Sequence, residues 1–333
     1  PFETPDLRWH GLEDKRTNPQ LAKGTNTRTI GKRFSIFNSY YVDDSAFIFL
    51  NREDLEAGAK LIKEHFRRFG LTVHCGNKQK NAGSKTEIMF IPAANHVPTA
   101  EDKADVMLND TEYFGFCDTF KYLGTTFDSQ LSDVTDIKKR IQKASGAYAS
   151  MKRLLQDPKL SHNLRIRTYE ATVLNILLFG CECWALKEED RRKLEATHNR
   201  FLRSMLQLSI HDIKELHITN SQIREELNNC YTLEQHLELR RARWLEKLAH
   251  MPETRNPRKI LVAWTPNPRP VGRPRQTIRR AYAHTLENRL QTSQNLKNWI
   301  PIAKNHQQWA ETVETALELT PQTYKSFKYR LLE

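Results

Sequence analysis

Ile137, Ile141, Ala144, Tyr148, Met151 and Leu155 recur at alternating steps of four and three residues. That spacing is the period of one helix face, whereas a strand shows the same side only at every second residue. The stripe commits the middle of the chain to a long helix that must bury one face. The opposite face carries Lys138, Lys139, Lys143, Lys152 and Arg153. Two successors are predicted over residues 160–180 and 188–208, the latter with Leu194, Phe201, Met205 and Leu208 on its apolar side. A fourth helix runs through Leu237, Trp244 and Leu248 over 233–250, and two more are expected near 276–290 and 304–317. Between them, residues 252–275 hold Pro252, Pro257, Pro266, Pro268, Pro270, Gly272 and Pro274 and read as an exposed connector.

The chain ahead of residue 130 follows a different pattern. Phe34 to Val42 and Ser45 to Leu50 are short runs rich in aromatic and branched residues, parted by Asp43-Asp44. Two strands joined by a tight acidic turn account for them, with both Asp at the tip. Leu55, Ala59, Ile62 and Phe66 then mark a helix that starts after Asn51 and stops at Gly70. Leu71-Thr72-Val73 and Glu87 to Ile91 read as strands, 92–112 as a linker, and Phe120 to Phe127 as a hairpin in which Gly124 permits an unusual backbone angle. The class expected is α+β: a polar segment over 1–33, antiparallel strands over 34–130, helices over 131–210, and a basic helical region over 211–333.

Fifty-two Lys and Arg against forty Asp and Glu leave a net charge of +12. This excess speaks about partners, and nucleic acid leads. Residues 240–280 concentrate it, with twelve Lys or Arg and only Glu246 and Glu253 as acids. Arg240, Arg241, Arg243, Arg273 and Arg275 belong to that cluster and are candidates for phosphate contact, as are Lys138, Lys139 and Lys143. The longest apolar run, Val173 to Phe179, is broken at Asn175 and too short to span a bilayer, so no membrane partner is expected. The first residues, Pro1-Phe2-Glu3-Thr4-Pro5-Asp6, show no secretory pattern. Together with five scattered Cys they point to an intracellular place, in nucleus or cytoplasm. Cys181-x-Cys183 lacks a second pair for zinc and, beside Trp184, reads as packing. His198 reads as lying alone on a charged helix, and no His stands out as catalytic.

The adjacent Asp43 and Asp44 admit two readings. Carboxylates on rigid backbone are what a divalent metal in nucleotidyl transfer requires, and an Asx turn uses the same residues for purely local reasons. Tyr41-Val42-Asp43-Asp44 resembles the third catalytic motif of reverse transcriptases. Phe69-Gly70-Leu71-Thr72-Val73 and Ser84-Lys85-Thr86-Glu87 are similar to the next motif of their palm, and Phe120-Lys121-Tyr122-Leu123-Gly124 to their primer-grip hairpin. Asp136-Ile137, Arg140-Ile141 and Ala144 resemble the start of the thumb. Leu178 to Leu186, Gly272-Arg273-Pro274-Arg275 and Trp309 are similar to stretches of non-LTR retroelement proteins, with Phe179 where a Tyr is usual. Taken in order these pieces cover residues 34–315.

The resemblance implies a partial polymerase palm followed by a helical thumb, acting with an RNA template and a DNA primer or target DNA. It implies Mg²⁺ at Asp43 and, less directly, at Asp44. Lys85 would lie near the triphosphate, though a solvated lysine is the other reading. Tyr41, Tyr122, Leu123 and Gly124 would lie along the primer. The family's first catalytic Asp and its Gly-rich second motif are not found. Asp6 and Asp14 are the only Asp before Asp43, and neither is flanked by an apolar strand. A chain with one metal-binding strand is expected to hold metal weakly and to bind nucleic acid without polymerising.

Overall fold

The computed structural model describes residues 7–9, 32–92, 96–263, 277–290 and 299–319. It is a mixed α/β protein that divides into two compact units, with the main boundary between Thr135 and Asp136.

The first unit is built from short strands around one helix. Strands β1 (Leu7–Trp9) and β2 (Lys32–Phe34) pair with each other. Strands β3 (Asn38–Tyr41) and β4 (Asp44–Phe47) form an antiparallel hairpin in which Tyr41 faces Asp44 and Asn38 faces Phe47. The run from Phe34 to Val42 is therefore two strands, interrupted at 35–37. Helix α1 (Arg52–Arg68) follows, with Asn51 accepting from the Asp54 N–H at its start. It closes on Gly70 at φ +73°, where the Leu71 N–H reaches Phe66 O and the Gly70 N–H reaches Arg67 O. That is a Schellman closure, and it needs the left-handed backbone that glycine supplies at least cost.

A four-stranded sheet carries the rest of this unit. β5 (Gly76–Asn77), β6 (Glu87–Ile88) and β7 (Val106–Met107) all pair with β8 (Glu112–Phe116). The sheet departs from expectation in three ways. Leu71-Thr72-Val73 is irregular and largely exposed, because no neighbouring strand offers it a ladder. The presumed linker contains β7 and the beginning of β8. The β6–β8 pairing is parallel, so the sheet is not wholly antiparallel. The helix packs on the sheet through Ala59, Val106 and Phe114, joined by Leu55, Val73 and Ile88. Arg52 fixes the loop before β7 by donating to the carbonyls of Glu101, Ala104 and Asp105 at 3.1, 2.9 and 2.9 Å. A last hairpin, β9 (Thr119–Tyr122) with β10 (Thr125–Asp128), turns through Leu123 and Gly124.

Gly58 in α1 has a close neighbour. A Cβ there would lie 2.4 Å from Phe49 Cε1. Gly58→Ala is expected to lower stability by about 1–3 kcal/mol through overpacking, although alanine alone would favour the helix by about 1 kcal/mol. Urea unfolding checks the sign.

The second unit is helical. Helix α2 (Val134–Leu155) enters it, and Ile137, Ala144, Tyr148 and Leu155 are buried as the stripe predicts. The predicted helix over 160–180 is α3 (His162–Tyr169) and α4 (Asn175–Leu177) joined by a π segment, Glu170–Leu174. A short 3₁₀ turn over Cys181–Cys183 leads to α5 (Glu188–Met205). Two small helices, α6 (Ile210–Glu215) and α7 (Asn220–Glu226), precede α8 (Leu233–His250), and all three start with reciprocal capping boxes. The core joins α2, α3 to α5, α7 and α8 through Tyr169, Leu174, Leu177, Trp184, Leu202 and Leu237. Burying each such side chain contributes about 1.5–3 kcal/mol before entropy is counted.

The stretch read as an exposed connector begins instead with α9 (Asn256–Val262), whose Arg258 is buried. Pro257 sits in its first turn, where a missing N–H costs nothing. Beyond it lie α10 (Ile278–His284), a second π segment Thr285–Arg289, α11 (Trp299–Lys304) and α12 (His306–Ala316). Trp309 is fully buried and donates through Nε1 to Ala242 O at 3.1 Å, which ties α12 to α8.

Candidate nucleic-acid interface

The hairpin β3–β4 turns through two residues, Val42 and Asp43, while Asp44 is the first residue of β4. The acidic pair thus straddles the turn and the strand start, instead of filling the tip. Both carboxylates are exposed, and neither has an ion-pair or hydrogen-bond partner among the described residues. Val42 is 92% exposed and has φ +56°. A branched residue pays about 1–2 kcal/mol there for the clash of its Cβ with the carbonyl. Strain of that kind, beside two bare carboxylates on aromatic strands, marks the turn as a candidate site. Tyr41 is exposed beside it.

The β9–β10 hairpin meets the acidic one. Tyr122 donates through its hydroxyl to Ser39 Oγ at 3.2 Å. Leu123 and Gly124, at φ +47° and +87°, form the turn, as anticipated for Gly124. Lys85 is exposed and its backbone N–H donates to His74 Nδ1 at 3.1 Å. No described contact joins Lys85 to Asp43 or Asp44.

The fit to a metal is incomplete. Among the described residues no three His, Cys, Asp or Glu side chains converge as a metal site. Asp43 and Asp44 are oxygen donors of the type Mg²⁺ takes. Two metals held about one substrate need a larger carboxylate cage than this pair supplies.

In the second unit, Lys138, Lys139, Lys143, Lys152 and Arg153 are exposed on α2 with no carboxylate partner among the described residues. The only acid of that helix, Asp136, is buried beneath it. The exposed cations of α5 are arranged otherwise. Arg191 pairs with Glu188 and Glu234, Arg192 with Glu188, and Lys193 with Glu189 and Asp190. Helix α2 therefore presents a run of uncompensated positive charge, whereas the cations in the first turns of α5 are paired and its exposed Arg200 donates to Ser145 Oγ at 3.1 Å.

The predicted cluster on α8 is mostly engaged inside the protein. Arg241 is 3% exposed and pairs with Glu238 at 2.9 Å, while Thr285 donates to the other Glu238 oxygen at 2.6 Å. It cannot present its charge to a phosphate. Arg240 is half-buried and donates to Asn175 Oδ1, whose own amide donates to Ala171 O at 3.0 Å within the π segment. Arg243 is half-buried. Arg273 and Arg275 lie outside the described residues, as do Gly272 and Pro274.

Two arrangements were not foreseen. Asp136 accepts from Trp184 Nε1 at 3.1 Å and pairs with Arg140 at 3.5 Å, and the Arg140 guanidinium lies 4.4 Å from the Phe179 ring centre. His198, expected alone on a charged helix, is buried among Tyr169, Tyr231 and His236. Its position between Leu194 and Phe201 on the apolar stripe was the available signal. Cys181 is buried, and burial pushes its thiol up; Cys183 is exposed. Compared with protein-family models, curated proteins and solved structures, the chain matches none.

Proposed function

We propose that this chain is the C-terminal palm and thumb of an RNA-directed DNA polymerase of a non-LTR retroelement. Its role as it stands is to hold primer–template without extending it. The observation that carries this reading is the Tyr122–Ser39 hydrogen bond, 3.2 Å long, which brings the primer-grip-like hairpin against the acidic hairpin. The two residues are 83 positions apart, and chance resemblance gives no reason for their motifs to meet. The unpaired lysine face of α2 supplies the sequence-independent phosphate contacts such a role needs.

The test uses an RNA template annealed to a labelled DNA primer. Binding in low salt is expected without Mg²⁺, and it should weaken steeply as salt rises. No primer extension is expected with Mg²⁺ and deoxynucleotides. Extension that disappears in Asp43→Ala would refute the non-extending reading. Absence of binding in low salt would remove the nucleic-acid role altogether.

A further inference from the structure

We infer that His198 and His236 form an acid-sensitive latch that joins α5, the π segment 170–174 and the start of α8. Hydrogen-bond directions fix the tautomer of the first. His198 Nε2 lies 3.3 Å from the Tyr231 carbonyl oxygen, which only accepts, so Nε2 carries the ring proton. Nδ1 then holds a lone pair and accepts the Tyr169 hydroxyl at 2.8 Å. A neutral imidazole has one donor and one acceptor, and both are used. A proton added at Nδ1 would oppose the Tyr169 hydroxyl proton. Tyr169 is fully buried, so on turning away it finds no water.

His236 lies edge-on to His198, 6.0 Å between ring centres, and 5.7 Å from Tyr231. Its side chain is 11% exposed, and Glu170, the first residue of the π segment, stands 3.6 Å from Nε2. That separation exceeds a hydrogen bond. The groups facing the pair are unbalanced in charge. Among the described residues Glu170 is the carboxylate that faces it, against Arg240 and Arg243 on α8 and Arg224 on α7, with the Tyr231 ring beside them and burial pushing the Cys230 thiol and the Tyr169 hydroxyl up. Burial accordingly holds His198 down to about 4, and burial with the His198 and arginine charges holds His236 well below the usual histidine range.

The sign follows from which state takes up protons. Both imidazoles are depressed in the folded chain, so their contribution to stability is full above about pH 6.5, the unfolded value. For His198 it fades from there down to the folded value of about 4. Each imidazole weakens the closed state by up to about tenfold per pH unit in that window.

Cys230 reports the opening because it neighbours Glu170 and Tyr169 and its thiol is largely shielded. The full chain is reacted with a pyridyl disulfide active in acid, and labelling at Cys230 is followed by peptide mapping at pH 7.5 and pH 5. His198→Gln retains a donor and an acceptor but does not titrate. Wild type and variant should label within about twofold of each other at pH 7.5, and wild type about tenfold faster at pH 5. A ratio that does not change with pH overturns the latch. Should His198→Gln label at once at pH 7.5, His236→Gln, at the rim, is held to the same two ratios. Nucleic-acid binding plays no part in this readout.

Discussion

Replacing Lys138, Lys139 and Lys143 together by alanine is expected to weaken primer–template binding about a hundredfold in low salt, at about 1 kcal/mol for each phosphate no longer neutralised. The slope of log affinity against log salt should fall by about three, one for each released counterion. The three side chains are exposed and unpaired, so stability should change by less than about 0.5 kcal/mol. The informative control is Arg192→Ala with Lys193→Ala on α5. These cations are as exposed but already neutralised by Glu188, Glu189 and Asp190. Their loss should alter affinity by no more than about twofold, since a cation held by a carboxylate makes no phosphate contact to lose. Anisotropy titrations at three salt concentrations distinguish the two helices. Equal losses from both would mean that net charge, not the α2 face, governs binding.

That contrast could not be read from the sequence, where both helices are rich in Lys and Arg. Which cation is neutralised depends on partners such as Glu234, which reaches Arg191 from forty-three residues away. Face, by contrast, was legible wherever one period ran long enough. Ile137 to Leu155 fall on the inner side of α2, and the same rule would have buried Arg241, four residues from Leu237 and from Leu245 on the apolar side of α8. Counting Arg240, Arg241 and Arg243 as one basic patch ignored that a helix turns about 100° per residue. Prolines misled in a similar way. Pro257 ends an element in most contexts, yet at the first turn of α9 it starts one.

Strands were legible where a hairpin made pairing local. The acidic hairpin and the one through Gly124 both emerge from adjacent runs joined by a tight turn. The central sheet did not, because β8 gathers β5, β6 and β7 from segments that look too short or too polar to be strands. Leu71-Thr72-Val73 had the better strand composition and no edge to join. The candidate site divides along the same line. Asp43, Asp44 and Gly124 were read from local pattern and Tyr122 from the resemblance, whereas the hydrogen bond joining their hairpins is a property of the fold alone.

Asp136→Ala is expected to destabilise the second unit by about 3–5 kcal/mol. Asp136 is 2% exposed and Arg140 5%, at the point where α2 enters the unit. Removing the carboxylate takes from the buried Arg140 guanidinium the opposite charge 3.5 Å away, and leaves Trp184 Nε1 without the acceptor it now has at 3.1 Å. Asp136→Asn keeps an acceptor for Trp184 but not the charge, so it should fall between wild type and alanine. Arg140→Met retains packing on Phe179 and removes the cation. Combined with Asp136→Ala, it should cost less than the sum of the two changes by about 1–3 kcal/mol, because the second change removes a group whose charge interaction is already lost. Urea unfolding of the four proteins measures this coupling, and strict additivity would mean that the pair contributes nothing as a pair. The result bears on binding as well. The lysines of α2 begin two residues beyond Asp136, so an α2 that frays at its first turn no longer holds Lys138 and Lys139 in place. Asp136→Ala should therefore weaken nucleic-acid binding without altering any surface charge, and cooling that restores the fold should restore the affinity.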